Sequence, residues 1–230
     1  MSANKRQVCI WAKIQTMTSQ SSIDSLVEFA KTNNYTTIFV QVRSRGDAAY
    51  NSNIVPKYDK VISNFDPLRY LLETTLTTEI QIHVWLNMYV IWTRYNPSVP
   101  HNHIYNRTDW IDSAFNGSKG NKNIYLSPAH PAVNTYLISV IKELISNYDV
   151  DGIHLDYIRF KDENYGSNLE SMKAFKKWYL DKKGITLSSE DISNGIQSNL
   201  KKEWERFKRN AVTSLVKKTT QLLYMQNPDI

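Results

Sequence analysis

Two rhythms alternate along this chain. Over short stretches apolar and polar residues take turns, which suits a strand whose side chains point to opposite faces; over longer stretches apolar residues recur at three- and four-residue spacing, the period of a helix with one buried stripe. The short stretches, residues 8–14, 37–43, 80–87 and 150–157, predict four strands. A first helix is expected from about residue 22, with Ser21 or Ser22 as its N-cap and Ile23, Leu26, Val27 and Ala30 on its buried side. Asp66-Pro67 reads as cap and first turn of a second helix, which buries Leu68, Leu71, Leu72 and Leu76. A third runs from near His130-Pro131 to Asn147, burying Val133, Leu137, Val140, Ile141 and Leu144, and two further helical stretches span about 169–183 and 199–226. Residues 92–128 are polar and show little periodicity; connections of that length in compact domains are usually functional or disordered.

Strands that alternate with helices predict a parallel α/β architecture. With no internal repeat and no low-complexity linker, residues 1–230 read as a single domain. The expected fold is a (β/α)8 barrel of the TIM type, of which about four βα units are present and the C-terminal half is missing, since such a barrel closes with eight. The chain ends at Asn227-Pro228-Asp229-Ile230, where another strand is expected. An open sheet edge offers a surface for pairing with a second copy.

The strand faces carry the first chemical signal. Ile10 and Ala12, Ile38, Val40 and Val42, Ile82, Val84 and Leu86, and Ile153 and Leu155 form one aliphatic face, to be buried against helices. The opposite face mixes polar and aromatic residues: Trp11 and Lys13; Phe39, Gln41 and Arg43; His83, Trp85 and Asn87; His154 and Asp156. Lys13, Arg43, Asn87 and Asp156 are all expected near strand C-termini, the end at which such barrels place their active sites. Polar groups buried without partners cost a few kcal/mol each, roughly. Their convergence therefore points to a site, or else to a structural network in which Arg43 pairs with Asp156 and Asn87 ties down a loop.

Composition narrows the classes. Hydrophobic residues make up 41% and charged residues 22%, an ordinary globular balance, and no apolar run approaches the roughly 20 residues of a membrane span. The net charge of +6 comes largely from lysines and arginines between Lys173 and Lys218, where Glu203 and Glu205 are interleaved; this reads as a water-facing helix surface, and nucleic acid is set aside as a partner. Cys9 is the single cysteine and lies in the first strand, so no disulfide framework or thiolate metal cage exists. No Gly-rich phosphate loop precedes a helix, and His101-Asn102-His103 is a weak ligand pair; no cofactor and no metal are expected. The start, Met1 to Gln7, has a basic character but no apolar stretch or cleavage site, so the chain is cytoplasmic as written, or periplasmic or extracellular if an export signal preceded it.

Four segments resemble the glycosyl-hydrolase-like family 10. They are Gln41-Val42-Arg43-Ser44-Arg45-Gly46-Asp47-Ala48-Ala49-Tyr50, then His83-Val84-Trp85-Leu86-Asn87-Met88-Tyr89, then Leu126-Ser127-Pro128-Ala129-His130-Pro131, and residues 148–160, which hold Asp151-Gly152-Ile153-His154-Leu155-Asp156-Tyr157-Ile158-Arg159-Phe160. Met88 and Lys161 stand where many members have proline. The resemblance implies a TIM-type barrel that cleaves glycosidic bonds in a polysaccharide or a peptidoglycan-type glycan, with members that cut glycan strands freed of peptide.

Glycoside hydrolysis generally uses two carboxyl groups. Asp156, at an inward strand end beside His154 and Arg159, is the candidate for one of them. Asp162 and Glu163 read as a solvated loop, so the second carboxyl is unassigned, and with it the choice between retention and inversion. Asp151, at the strand entrance, reads as a chain-turning residue. The candidate substrate-binding residues are Arg43, Asp47, Trp85, Asn87, His154 and Arg159; Asp47 either meets a sugar hydroxyl or braces Arg43 or Arg45. Trp85 offers a flat face for a sugar ring, whereas Trp11 reads as filling volume. A non-catalytic carbohydrate-binding barrel and a truncated inactive fragment are the alternatives.

Overall fold

The computed structural model describes residues 7–93, 97–117, 123–196 and 198–226. The first six residues and the closing 227–230, read above for export and for a following strand, lie outside the described residues. The elements are β1 (Cys9–Ala12), α1 (Gln20–Thr32), β2 (Thr37–Arg43), α2 (Pro67–Thr75), β3 (Gln81–Asn87), β4 (Val90–Trp92), β5 (Ile124–Tyr125), α3 (Pro131–Asn147), β6 (Gly152–Asp156), α4 (Leu169–Lys183), α5 (Ser189–Gly195) and α6 (Lys201–Gln226). β1, β2, β3 and β6 form a four-stranded parallel sheet in that order. The α/β architecture with a parallel sheet is the one the alternating pattern predicts.

Local chemistry sets the helix starts. Asp66 accepts from the Arg69 N–H at 3.1 Å and Pro67 takes the first turn of α2, while the His130 ring accepts from the Ala132 N–H at 3.1 Å ahead of Pro131 in α3. α1 begins a little earlier than periodicity suggests, because Ser19 and Ser22 cap each other reciprocally, each side chain accepting from the other's N–H at 3.2 Å.

The aliphatic face of the two central strands is buried as expected, with Ile38, Val40, Val42, Ile82, Val84 and Leu86 0–1% exposed against α1, α2 and α3, whereas Ile10, Ile153 and Leu155 on the outer strands are half-buried. Each fully buried side chain of this kind contributes about 1.5–3 kcal/mol. α6 lies along α3, where Asn134 Nδ2 donates to the Ala211 carbonyl at 3.1 Å and Gln226 Nε2 to the Ile145 carbonyl at 2.5 Å. A second, aromatic core of Phe175, Ile192, Leu200, Trp204 and Phe207 joins α4, α5 and α6.

The polar segment of little periodicity, together with the two residues before it, holds an antiparallel strand pair, a wide hairpin closed by a long connection. β4 leaves β3 after two residues and pairs with β5, Val90 opposite Tyr125. Trp92, Ile104, Trp110 and Ile124 are all buried there. Two- and three-residue strands are too short to show a period, so the hairpin escapes pattern reading.

Candidate active site

The register of the parallel sheet places side chains in rows on the face away from the helices. Trp11, Phe39 and His83 form one row, Gln41, Trp85 and His154 the next, and Asn87 and Asp156 the last. Trp11 stacks on Phe39 with centroids 4.7 Å apart, and Phe39 meets the His83 and His154 rings at 5.0 and 5.4 Å. His154 in turn meets the Trp85 indole edge-on at 6.1 Å. Gly152 leaves room for the His83 imidazole, since a Cβ there would collide with the ring at Nδ1 and Cε1. Burial lowers the His83 pKa, against the opposing charge of Asp151.

Asp156 ends this face at the C-terminal tip of β6 and is partly exposed. Its Oδ2 accepts from Trp85 Nε1 at 3.1 Å, and its Oδ1 accepts from the backbone N–H of Tyr157 at 2.6 Å. A carboxylate offers about four lone-pair positions, so each oxygen is oriented by one donor and keeps capacity for a ligand. Its main chain is anchored as well: the Met88 N–H donates to the Asp156 carbonyl at 2.8 Å. Tyr157, which follows, has φ of +49°, a left-handed conformation for a non-glycine residue. Such geometry costs about 1–3 kcal/mol and clusters at functional sites. Arg159 lies over the Tyr157 ring at 5.6 Å.

One wall beside Asp156 is the β4–β5 hairpin. Tyr125 packs edge-on against Tyr157 with centroids 6.2 Å apart, and its phenol feels Arg159, Asp156 and Asp162. Beyond Arg159 a groove of about 420 Å³ opens between residues 158–163 and α6, with Phe160, Lys208 and Val212 among its lining. Lys208 is itself buried, bonded to Glu205 at 2.8 Å and to the Glu163 carbonyl at 3.3 Å, so it ties this loop to the helix.

The other expected site residues have distinct places. Arg43 was expected on the inner face, but a register shift between Gln41 and Arg43 sets it opposite Leu86, a residue of the helix-facing side. Its guanidinium is buried and donates to the carbonyls of Asn87 and Met88, the latter at 3.1 Å, with Tyr136 of α3 nearby. Among the described residues it has no ion pair, so Arg43 is a framework cation and does not accompany Asp156. Lys13 also leaves the sheet, which ends at Ala12, and is exposed. Asn87 stays beside Asp156, but its amide is used within the protein, accepting from Gln41 at 3.2 Å and donating to the Ser44 carbonyl at 2.9 Å. Asp47 is buried and braces Arg45 through contacts of 3.2 and 3.0 Å. Arg45 lies over the Trp92 ring at 4.3 Å. Asp151 accepts from the Ile82 N–H at 2.7 Å, the chain-joining role its position suggests.

Within β1, β2, β3 and β6, Asp156 is the one carboxylate. Two buried groups near the hairpin have displaced pKa values. Burial raises Asp112 to about 7, although the Ser113 N–H donates to it at 3.0 Å, and lowers His103 to about 4. Sequence reasoning missed Tyr125 and Asp112. Tyr125 directly precedes the Leu126-Ser127-Pro128 segment, and that adjacency is the one signal that could have marked it.

One face of the parallel sheet thus carries a run of aromatic and imidazole rings that leads to a carboxylate and an indole at the C-terminal end of the strands, the end at which (β/α) barrels place their active sites. A model of the family described as "Glycosyl hydrolase-like 10" matches residues 3–230, and the chain belongs to that family. It is 28% identical over 159 residues to the glycosyl hydrolase DigH of Escherichia coli K12, covering 62% of this chain and 35% of DigH. To the glycosyl hydrolase YngK of Bacillus subtilis it is 26% identical over 128 residues, covering 52% and 24%. The chain thus matches about a third of the length of DigH and about a quarter of that of YngK. Among solved structures, the glycoside hydrolase domain of PgaB (BpsB) from Bordetella bronchiseptica aligns with a TM-score of 0.62 at 13% identity, over 97% of this chain and 62% of that one. Alpha-L-fucosidase isoenzyme 2 from Paenibacillus thiaminolyticus also aligns with a TM-score of 0.62, at 16% identity, over 97% and 31%. At such identities the likeness is one of fold.

Proposed function

We propose that this chain carries the nucleophile or base of a glycoside hydrolase that cleaves O-glycosidic bonds in a polysaccharide or peptidoglycan-type glycan, with Asp156 as that carboxylate. The observation that carries the reading is Asp156 itself: partly exposed at a strand C-terminus, with one oxygen held by Trp85 and the other by the Tyr157 N–H. A carboxylate oriented in advance attacks an anomeric carbon, or deprotonates a water, without first reorganising. Trp85, His154 and Arg159 stand around it to meet the sugar, while Asn87, Arg43 and Asp47 hold the surrounding backbone and loops. A partner carboxyl is required, and it comes from outside β1, β2, β3 and β6. The test is Asp156→Asn assayed on peptide-free peptidoglycan glycan strands. Release of reducing ends should fall by about a thousandfold or more, with the circular dichroism spectrum and glycan binding kept. Unchanged turnover would refute the assignment.

The presence of a single carboxylate on these strands also favours a second reading, a non-catalytic carbohydrate-binding barrel. Saturable binding to the same strands without new reducing ends would decide for it.

A further inference from the structure

We infer that Tyr125 is a further substrate-contacting residue of this site, presenting its phenol to a hydroxyl of the sugar held at Asp156. The inference rests on the glycan reading of Asp156 and extends it to a residue on a different element.

The hairpin that carries Tyr125 is coupled to the strand beside Asp156. β4 follows β3 after two residues, Val90 pairs with Tyr125, and the Leu126 N–H donates to the Tyr89 carbonyl at 2.9 Å. From the other side the Asp112 N–H donates to the Tyr125 carbonyl at 2.8 Å. The carbonyl of Tyr125 and the N–H of the residue after it are thus both held, and its ring is seated edge-on against Tyr157. The side chain is buried, 3% exposed, and its hydroxyl has no hydrogen-bond partner among the described residues but keeps a trace of solvent contact.

Other buried tyrosines behave differently. The Tyr89 hydroxyl donates to Asn134 at 2.8 Å and that of Tyr148 to Asp66 at 2.7 Å, whereas the unpartnered Tyr50 hydroxyl is sealed from solvent. Buried phenols usually find a partner. A fixed ring with an unpartnered hydroxyl that is not sealed from solvent, within electrostatic reach of Arg159, Asp156 and Asp162, has the features of a group whose partner arrives with the ligand. Burial raises the Tyr125 pKa, so the phenol remains a donor through the neutral range. A carbohydrate hydroxyl is a matching acceptor.

Tyr125→Phe keeps the ring and removes only the donor. On peptide-free peptidoglycan glycan strands, kcat/KM should fall about tenfold, the loss expected for one good hydrogen bond, with the melting temperature within a few degrees of the parent. Glycan binding by calorimetry separates this from the catalytic reading. Asp156→Asn should bind like the parent, and Asp156→Asn combined with Tyr125→Phe should bind several-fold more weakly. If Tyr125→Phe matches the parent in both turnover and binding, Tyr125 is a packing residue and the inference falls while the role of Asp156 stands. If the parent binds but does not cleave, the catalytic reading falls and the weaker binding of Tyr125→Phe still supports the contact. A parent chain that neither binds nor cleaves these strands overturns both.

Discussion

The indole N–H of Trp85 and the Oδ2 of Asp156 meet at 3.1 Å across adjacent parallel strands, although 71 residues separate them in the chain. The pairing is diagonal: Trp85 lies opposite His154, and Asn87 opposite Asp156. The indole therefore reaches one row forward to the carboxylate, and the flat ring and the charged group become one unit.

Trp85→Phe tests that unit by keeping an aromatic face and deleting the donor. A hydrogen bond to a charged group contributes about 1.5–3 kcal/mol, so kcat/KM on glycan strands should fall tenfold or somewhat more, with folding retained. An unaltered kcat/KM would mean that the Tyr157 N–H orients Asp156 without help.

Gly152→Ala tests the inner face. The new Cβ would run into the His83 ring, and overpacking of this kind costs about 1–3 kcal/mol. The melting temperature should drop by several degrees. The double variant with His83→Ala should lose less than the sum of the two single changes, because the ring that is struck is gone. Strict additivity would remove the steric explanation.

Asp112 gives stability a defined pH dependence. Its folded pKa of about 7 lies above the reference 3.8, so between these values the folded chain holds a proton that the unfolded chain releases. The contribution is complete below the unfolded value and is lost as pH rises through the folded one. Asp112→Asn should therefore gain stability relative to the parent as pH goes from about 4 to 8, with a ceiling of about 4 kcal/mol at 1.36 kcal/mol per pKa unit. Comparing variant with parent removes His103, whose depressed pKa of about 4 contributes with the opposite sign, its stability being lost as pH falls. A difference between variant and parent that is flat with pH, in denaturant melts, would contradict the buried acid.

β1 and β6 each pair on one side only within the described sheet. Unpaired strand edges invite further pairing, and self-association through an edge is the expectation for this chain on its own. Sedimentation velocity should show an average mass that rises with concentration above 26.7 kDa. A mass constant at that value would exclude it.

The sequence by itself determined the parallel α/β class, the aliphatic face of each strand, the Asp66-Pro67 and His130-Pro131 helix starts, and the position of Asp156 at a strand end. These depend on side-chain period and on capping within a few residues, which the order of the chain displays directly. It could not show that Arg43 leaves the inner face, because one register shift in β2 reverses a parity that alternation assumes to be unbroken. Nor could it show that Trp85 bonds Asp156, that Tyr125 stands beside Tyr157, or that Asp112 is buried enough to hold a proton near pH 7. Those relations join residues tens of positions apart, and burial and hydrogen bonding between them exist only once the sheet, hairpin and helices have packed. Local propensity chose the elements, and long-range packing decided which of their polar groups meet.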